Sequence, residues 1–186
     1  LANLLSAHRD LANPQHRAEV AQLWGVDEVP ATPGKTAVEM FQAAADGEIK
    51  ALWIACTNPA QSMPDQATVR RALQRAEFVV VQEAFATTAT CAYADLLLPA
   101  TTWGEKDGTL INSERRIGLV KKVARAPGQA LADFAIFQLI AHYWGCGEMF
   151  ADWKDPEAVF RIMQKLSCGR PCDITGIHDY RQIDEA

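Results

Sequence analysis

The sequence predicts an α/β fold, a mostly parallel sheet with helices on both faces, and two features support this. Three short runs are mainly apolar, at residues 49–56, 78–82 and 95–99. Each run is too unbroken for a half-exposed strand and is typical of a strand buried on both faces. Segments with apolar residues at helical spacing separate the runs. This alternation favours a doubly wound, Rossmann-like sheet with right-handed crossovers.

The helices that separate these strands carry recognisable start and stop signals. Thr36 and Glu39 form a capping box, and Gly47 ends the helix that follows. Ser62 with Asp65 is predicted to cap the next helix, which precedes the second strand.

Three regions are predicted along the chain. Residues 1–35 form an irregular N-terminal arm, 36–145 the Rossmann-like domain, and 146–186 a helical C-terminal extension. Within the domain, 108–122 reads as extended or hairpin structure. The helix at 133–144 is apolar on nearly every side, which predicts that it is buried.

Composition and charge exclude several partners. The 186 residues carry 18 basic and 23 acidic side chains, a formal net charge of -5, which argues against nonspecific binding of nucleic acid. No apolar run approaches the roughly 20 residues that span a bilayer, so no membrane partner is predicted. The chain starts at Leu1 with neither an initiator Met nor a signal pattern, and is therefore expected to be a piece of a longer protein.

The five cysteines predict a cytoplasmic protein with reduced thiols, because their number is odd and their spacing is wide. Cys168 and Cys172 form the one close pair, but no second pair or nearby histidine completes a metal site. The four histidines are scattered. No metal ligand is predicted, and the role of the Cys168–Cys172 pair stays open.

Polar residues follow two of the predicted strands, where ligands of open α/β sheets bind. Asn58, Gln61 and Ser62 lie in a turn that leads into a helix, and a helix start is a natural seat for phosphate. Gln82 and Glu83 end the second strand, where a carboxylate commonly accepts ribose hydroxyls. Turn chemistry, helix capping and solvation are the alternative interpretations of these residues.

A third polar cluster follows the last strand. Lys106 lies between two glycines, and Arg115 and Arg116 come soon after, so these cations could hold an anion or a cofactor phosphate. A solvated hairpin with ion pairs is the alternative. No Ser-His-Asp, Cys-His or paired-carboxylate arrangement stands out, so no catalytic residue is predicted. The chain is interpreted as a binder of a nucleotide-like group.

Five segments follow one another in a recognisable order. They are Ala-Cys-Thr-Asn-Pro-Ala-Gln-Ser at 55–62, Val-Val-Val-Gln-Glu-Ala-Phe at 79–85, Tyr-Ala-Asp-Leu-Leu-Leu-Pro-Ala at 93–100, Trp-Gly-Glu-Lys-Asp-Gly-Thr at 103–109 and Asn-Ser-Glu-Arg-Arg at 112–116. Each segment is weak evidence alone, but the five in this order are highly specific. Together they resemble the molybdopterin-guanine-dinucleotide oxidoreductases of the dimethyl sulfoxide reductase family. The likeness is greatest to the catalytic large subunits of assimilatory nitrate reductases, and formate dehydrogenases come next.

The resemblance implies a cofactor and a set of residues that bind it. The cofactor is a molybdenum held by two molybdopterin guanine dinucleotides, and the parent also carries a [4Fe-4S] cluster near its N-terminus. The chain resembles the family's third domain, which grips the nucleotide end of one dinucleotide. By this likeness Glu83 meets the ribose, while the role of Arg115 and Arg116 stays open. The residues implied to bind the cofactor are Asn58, Gln61, Ser62, Gln82, Glu83, Lys106 and Asp133.

The resemblance also implies a reaction and partners. The parent is expected to reduce nitrate to nitrite by two electrons, together with its remaining domains and an electron-donor protein or subunit. The metal-ligating residue and the cluster cysteines belong to parts of the family chain outside these 186 residues, so this fragment alone is expected to be inactive. Two alternatives stay open: a fragment of a formate dehydrogenase catalytic subunit, and a cofactor-free structural relative in a respiratory complex.

Overall fold

The structure, a computed structural model, describes residues 4–114 and 116–184. These residues divide into two compact units. The sheet unit comprises 35–106 and 123–137; the second unit comprises 4–34, 107–122 without 115, and 138–184. The predicted division into 1–35, 36–145 and 146–186 stays a prediction.

The helices and strands follow one another in an order close to the predicted one. In chain order they are β1 (Leu4–Leu5), β2 (Arg9–Asp10), α1 (Pro14–Trp24), α2 (Ala37–Asp46), β3 (Ala51–Ala55), α3 (Pro59–Ser62), α4 (Gln66–Arg75), β4 (Phe78–Glu83), β5 (Leu96–Pro99), β6 (Gly108–Ile111), β7 (Ile117–Val120), α5 (Asp133–Tyr143), α6 (Pro156–Ser167) and α7 (Tyr180–Asp184). Short 3₁₀ turns lie at Ser6–His8, Ala89–Tyr93, Trp103–Glu105 and Gly147–Phe150.

The sheet unit is built on three parallel strands in the order β3-β4-β5. Trp53 of β3 lies opposite Val80 of β4, which in turn lies opposite Leu96 of β5. Just past β5, a parallel bridge joins Ala100 to Leu131 and continues the sheet toward the start of α5. The predicted α/β class with a parallel sheet is confirmed.

One face of this sheet carries the hydrophobic core. Leu52, Ile54, Val79 and Val81 point into it and are between 0% and 8% exposed. They pack against apolar side chains of α2 and α4. Each such side chain contributes about 1.5–3 kcal/mol on full burial, so this face provides much of the unit's stability.

The opposite face is only partly covered within the sheet unit. Trp53 is 40% exposed, Phe78 45% and Leu96 42%. Phe137 of α5 packs on Trp53 with ring centroids 5.1 Å apart, which supplies helix cover at one point. The prediction that the strands are buried on both faces is therefore wrong for these side chains, because their burial alternates along β3 and β4.

The helix ends confirm one predicted cap and correct another. The Thr36 N–H donates to Glu39 Oε2 at 2.7 Å and the Glu39 N–H donates to Thr36 Oγ1 at 3.4 Å, which is the predicted capping box. The next long helix, α4, is capped by Asp65, whose carboxylate accepts from Thr68 N–H at 3.2 Å. Ser62 instead ends the separate short helix α3, because Pro64 and the left-handed Asp65 (φ 47°) interrupt the chain between them.

In the second unit, the N-terminal arm is held by a buried charge network. Arg9 is 4% exposed; it donates to Glu19 Oε2 at 3.0 Å and to the Leu166 carbonyl oxygen at 2.6 Å. Arg170 donates to the same carboxylate oxygen at 2.6 Å. The same unit contains the antiparallel hairpin of β6 and β7, as predicted for 108–122.

The end of α5 differs from its prediction as a buried helix. Tyr143 is 82% exposed, and Trp144, the next residue, is 77% exposed. Among the described residues, none of the helices combines the length and apolarity needed to cross a membrane.

Candidate functional site

Polar side chains meet at the carboxyl edge of the parallel sheet. Gln82, near the end of β4, donates from Nε2 to Asp133 Oδ1 at 2.8 Å. Asp133 is the first residue of α5. Cys56 directly follows β3, and its thiol donates to the same Oδ1 at 3.6 Å. Two strand ends and one helix start thus converge on a single carboxylate, at the edge where open α/β sheets bind ligands.

Lys106 occupies the other side of that carboxylate. Its ammonium group forms an ion pair with Asp133 Oδ2 and donates to the Thr101 carbonyl oxygen at 3.1 Å. Thr101 is held in turn, because its N–H donates to the Leu131 carbonyl oxygen at 2.9 Å. These side chains form one group, the edge cluster, which consists of Cys56, Gln82, Thr101, Lys106 and Asp133.

The charge of the edge cluster is set by these contacts. Burial by itself raises the pKa of Asp133, but hydrogen bonds from Lys106 and Gln82, with the Lys106 charge, outweigh burial. The pKa of Asp133 is therefore held below its ordinary value, and the group is a carboxylate at neutral pH. It presents a fixed negative charge balanced by one ammonium group.

Cys56 has the opposite electrostatic character. Burial and the nearby Asp133 charge raise the pKa of its thiol, so the thiol stays protonated at neutral pH. Its backbone is left-handed, with φ 58°, a conformation that non-glycine residues adopt at a cost. A strained backbone at a strand end supports a functional site here, with the thiol as a hydrogen-bond donor rather than a nucleophile.

Two buried oxygen atoms of the edge cluster have no hydrogen-bond partner among the described residues. They are Oε1 of Gln82, a residue that is 1% exposed, and Oγ1 of Thr101, a residue that is 4% exposed. An unpaired buried polar atom costs about 1–3 kcal/mol. Since both belong to a converging polar group, this cost supports a binding site at this edge of the sheet.

The turn after β3 is organised around Asn58. Its Oδ1 accepts from the Thr90 N–H at 3.1 Å and from Thr90 Oγ1 at 2.6 Å, while its Nδ2 donates to Gln61 Oε1 at 2.9 Å. Ser62 Oγ donates to the Asn58 carbonyl oxygen at 3.0 Å. Asn58, Gln61 and Ser62 therefore lie together as predicted neighbours, but each makes contacts within the turn.

The predicted turn contains a short helix, α3, before the predicted helix start at α4, and the N–H groups at the start of α3 are not free. Ala60 N–H donates to Thr90 Oγ1 at 3.1 Å, and Gln61 N–H to the Asn58 carbonyl oxygen at 3.0 Å. Pro59 has no N–H at all. These N–H groups are therefore not available to a phosphate. The exposed side chains of Gln61 and Ser62 would have to hold it instead.

Glu83 lies at the last position of β4, half-buried. Its Oε1 accepts from the Ala84 N–H at 2.7 Å and from the Phe85 N–H at 3.4 Å. The second carboxylate oxygen, Oε2, makes no hydrogen bond to the residues that the structure describes, which fits the predicted acceptance of hydroxyl groups.

Of the predicted arginine pair, Arg116 lies in the second unit. Arg115 is outside the described residues. Arg116 is exposed and forms an ion pair with Glu114 at 3.5 Å, while its N–H donates to Asn112 Oδ1 at 3.0 Å. These contacts match the solvated hairpin that was the alternative interpretation of this segment.

Sequence reasoning missed two members of the edge cluster, Cys56 and Thr101. Cys56 is the first residue after β3, and Thr101 follows β5 by two residues. Both lie just beyond the carboxyl end of a strand, which is the signal that identified Gln82. No group of three or more His, Cys, Asp or Glu residues within the described ranges has the arrangement of a metal site.

The family model described as "Molybdopterin oxidoreductase" matches residues 2–143. The chain belongs to the molybdopterin oxidoreductase family. Nitrate reductases from Synechocystis sp. and Klebsiella oxytoca are 41% and 40% identical to it, over 95% and 96% of this chain. An F420-dependent formate dehydrogenase subunit alpha from Methanocaldococcus jannaschii is 38% identical over 78% of it.

The chain matches only part of the length of each of these relatives. The chain spans 25%, 21% and 21% of the length of those three proteins, respectively. A solved structure, acetylene hydratase from Pelobacter acetylenicus, superposes on 77% of the chain and 20% of its own length with a TM-score of 0.61. At 22% sequence identity this likeness concerns the fold alone.

Proposed function

We propose that this chain is the part of a molybdenum nitrate reductase that binds the nucleotide end of a molybdopterin guanine dinucleotide at the edge cluster. The unpaired Oε1 of buried Gln82, beside the carboxylate of Asp133, is the observation that carries the proposal. Nitrate reductases that are 40–41% identical over nearly the whole chain support the choice of parent enzyme.

The edge cluster fits a guanine base by its hydrogen-bonding chemistry. Guanine carries N–H donors on its ring and on its exocyclic amine, and a carboxylate accepts two such donors. Asp133 offers that carboxylate, kept ionised by its lowered pKa, and Gln82 Oε1 offers a further acceptor. Adenine lacks the paired donors at this edge, so the cluster favours guanine over adenine.

The remaining predicted residues are assigned to the rest of the nucleotide. Glu83 accepts hydroxyl groups of the ribose through its carboxylate, as in other nucleotide-binding sheets. Asn58 fixes the turn on which Gln61 and Ser62 are exposed toward solvent. Gln61 donates from Nε2 to a phosphate oxygen, and Ser62 does so when its hydroxyl group turns away from the Asn58 carbonyl oxygen. Lys106 keeps Asp133 charged and oriented.

The metal of the bound cofactor supplies the chemistry, the two-electron reduction of nitrate to nitrite. The role of this chain is to hold and orient the cofactor through its nucleotide. The metal ligand and the [4Fe-4S] cluster are proposed to lie elsewhere in the polypeptide, and an electron-donor protein or subunit completes the system in the cytoplasm.

The test is an Asp133→Asn substitution in the whole polypeptide that contains this chain. The variant is expected to retain less than about a tenth of the wild-type molybdenum and of the GMP released by acid hydrolysis, since a neutral amide accepts one donor fewer and offers one of its own. Asp173→Asn, which changes an exposed carboxylate in the second unit, is the matched control. Wild-type GMP and molybdenum in Asp133→Asn would refute the assignment.

Two alternatives are decided by the same preparation. One relative is a formate dehydrogenase, which makes formate the alternative substrate. The purified wild-type enzyme is therefore assayed with nitrate and with formate. If the enzyme turns over formate but not nitrate, the proposed substrate is wrong, whereas the proposed nucleotide site is unaffected. A folded wild-type protein without molybdenum indicates the cofactor-free scaffold.

A further inference from the structure

The outer edge of β3 is unpaired within the described part of the chain. Successive residues of β3 direct their N–H and C=O groups alternately toward β4 and away from it. The hydrogen bonds of the two residues that flank β3 show which residues face β4. The Lys50 carbonyl oxygen accepts from the Phe78 N–H at 3.2 Å, and the Cys56 N–H donates to the Gln82 carbonyl oxygen at 3.4 Å. The even-numbered residues from 50 to 56 therefore bond to β4.

It follows that Ala51, Trp53 and Ala55 direct their N–H and C=O groups away from β4. No backbone or side-chain partner for these three N–H and three C=O groups lies among residues 4–114 and 116–184. β3 ends the strand order β3-β4-β5, so this edge is an open row of alternating donors and acceptors.

Nothing in β3 protects this edge from pairing. The strand sequence Ala-Leu-Trp-Ile-Ala contains no proline and no charged residue, and its register with β4 is continuous, without a bulge. Natural sheets usually guard a free edge with lysine, proline or a bulge. An unguarded apolar edge is typical of a strand that is paired in the complete protein.

The helix layer indicates from which side a partner strand enters. α4 connects β3 to β4 and packs on the core face, and α2, which leads into β3, packs on the same face. In right-handed crossovers, consecutive helices on one face correspond to strands added in one direction. A parallel strand that enters β3 through α2 therefore lies on the side of β3 opposite β4, which is the open edge.

We propose that a parallel β-strand from polypeptide outside these 186 residues pairs with Ala51, Trp53 and Ala55 in the whole protein. The chain's own upstream strands, β1 and β2, pair with each other and belong to the second unit. Relatives are about four to five times longer than this chain, since it spans 21–25% of them, so additional polypeptide is available. The added strand also extends the partly covered face beside Trp53.

Residue-resolved hydrogen–deuterium exchange on the whole polypeptide tests this proposal with an internal control. Leu52 and Ile54 donate to β4 in any case, so their N–H groups report the stability of the sheet itself. If the edge is paired, Trp53 and Ala55 exchange within about tenfold of Leu52 and Ile54, because all four open together. If the edge is open, the outward amides exchange on the order of a hundredfold faster or more.

The mass of the protein in solution shows whether a strand of the same polypeptide or a second copy protects the edge. Protected outward amides in a monomer, unchanged on dilution, support the proposal. Protection that disappears on dilution together with a dimer means that a second copy covers the edge, which overturns it. Fast exchange of Trp53 and Ala55 also overturns it.

A pair of substitutions provides a second measurement. Ala55→Pro removes one outward N–H at a position that is not the first of the strand, and Ala55→Val keeps it with a β-branched side chain. Proline is tolerated within a free edge strand whose N–H faces solvent but not where a partner strand is bonded. The proposal expects Ala55→Pro to lower the melting temperature of the whole polypeptide relative to Ala55→Val, and equal melting temperatures contradict it.

Discussion

At the scale of single residues, the Lys106–Asp133 ion pair controls the edge cluster. The Lys106 and Asp133 side chains are 30% and 21% exposed, between the surface and the interior. Lys106 also donates to the Thr101 carbonyl oxygen, so one ammonium group links the segment after β5 to the start of α5. Removing it leaves Asp133 with its burial cost and fewer compensating contacts.

Lys106→Met is therefore expected to destabilise the protein by about 1–3 kcal/mol at pH 7, between the values for exposed and buried pairs. Urea denaturation of the whole polypeptide measures this loss. Lys50→Met is the matched control: Lys50 pairs with Glu77 at 3.0 Å, but both side chains are about 70% exposed. The control is expected to lose less than about 1 kcal/mol. Equal losses of stability in the two variants would mean that the Lys106–Asp133 pair stabilises the protein no more than an exposed pair does.

The same pair predicts a pH dependence. The pKa of Asp133 is lower in the folded protein than its ordinary value, mainly because hydrogen bonds from Lys106 and Gln82 overcome burial. Ionised Asp133 thus stabilises the fold above its unfolded pKa, and this stabilisation is lost as the pH falls through the folded pKa. In Lys106→Met the folded pKa of Asp133 is no longer held as far below its ordinary value, so less stability is lost on acidification, and an unchanged acid limb of the stability curve would contradict this account.

At the scale of secondary-structure elements, the turn between β3 and α4 is held by the 3₁₀ turn that precedes β5. Thr90 is 0% exposed, and its hydroxyl group both donates to Asn58 Oδ1 and accepts from the Ala60 N–H. One buried hydroxyl thus fixes the loop on which Gln61 and Ser62 are exposed.

Thr90→Val is expected to cost about 1–3 kcal/mol, because the isosteric valine leaves the Ala60 N–H unpaired in a buried position. It is also expected to weaken cofactor retention, measured as molybdenum per protein after gel filtration, because the turn loses its anchor. Thr87→Val, at an exposed position, is the control for replacing a threonine hydroxyl. A fully stable Thr90→Val protein would show that the turn is held by other contacts.

The alternating burial of β4 leads to a second prediction at this scale. Val81 is 1% exposed, whereas the neighbouring Val80 is half-buried on the face that carries Trp53. Val81→Asp is expected to prevent folding, since an unpaired charge enters the core, and Val80→Asp to give a folded protein of reduced stability. Circular dichroism with thermal melting separates the two. A folded Val81→Asp variant would contradict the described core.

Much of the arrangement of helices and strands could be predicted from local sequence signals. The capping box at Thr36 and the apolar run of β4 predicted α2 and the strand directly, because both depend on residues close in sequence. The exposure of Trp53 was not predictable, since an apolar run does not reveal which covering elements the chain itself contains. The convergence of Cys56 and Gln82 on Asp133 joins residues up to 77 positions apart, and local patterns carry no such distances.

At the scale of the whole molecule, the chain spans about a quarter of its nitrate reductase relative from Synechocystis sp.. Large apolar side chains remain exposed in both units, including Trp103 at 73% in the sheet unit and Trp144 at 77% in the second. Exposure of several large apolar side chains is typical of a surface that other polypeptide covers. The proposed partner is the remaining part of the same polypeptide.

Trp144→Ser is therefore expected to act in opposite directions in two contexts. In the 186-residue chain alone, the substitution removes exposed apolar surface and is expected to raise the solubility limit without lowering the melting temperature. In the whole polypeptide, the same change deletes a side chain that packs against other domains, and a loss of about 3 kcal/mol or more is expected, as for a core tryptophan. Lys154→Ser, at an exposed polar position in the same unit, should leave both quantities unchanged. Equal stability of wild-type and Trp144→Ser whole polypeptides would mean that Trp144 faces solvent there too, and that the apolar end of α5 is not an interdomain contact.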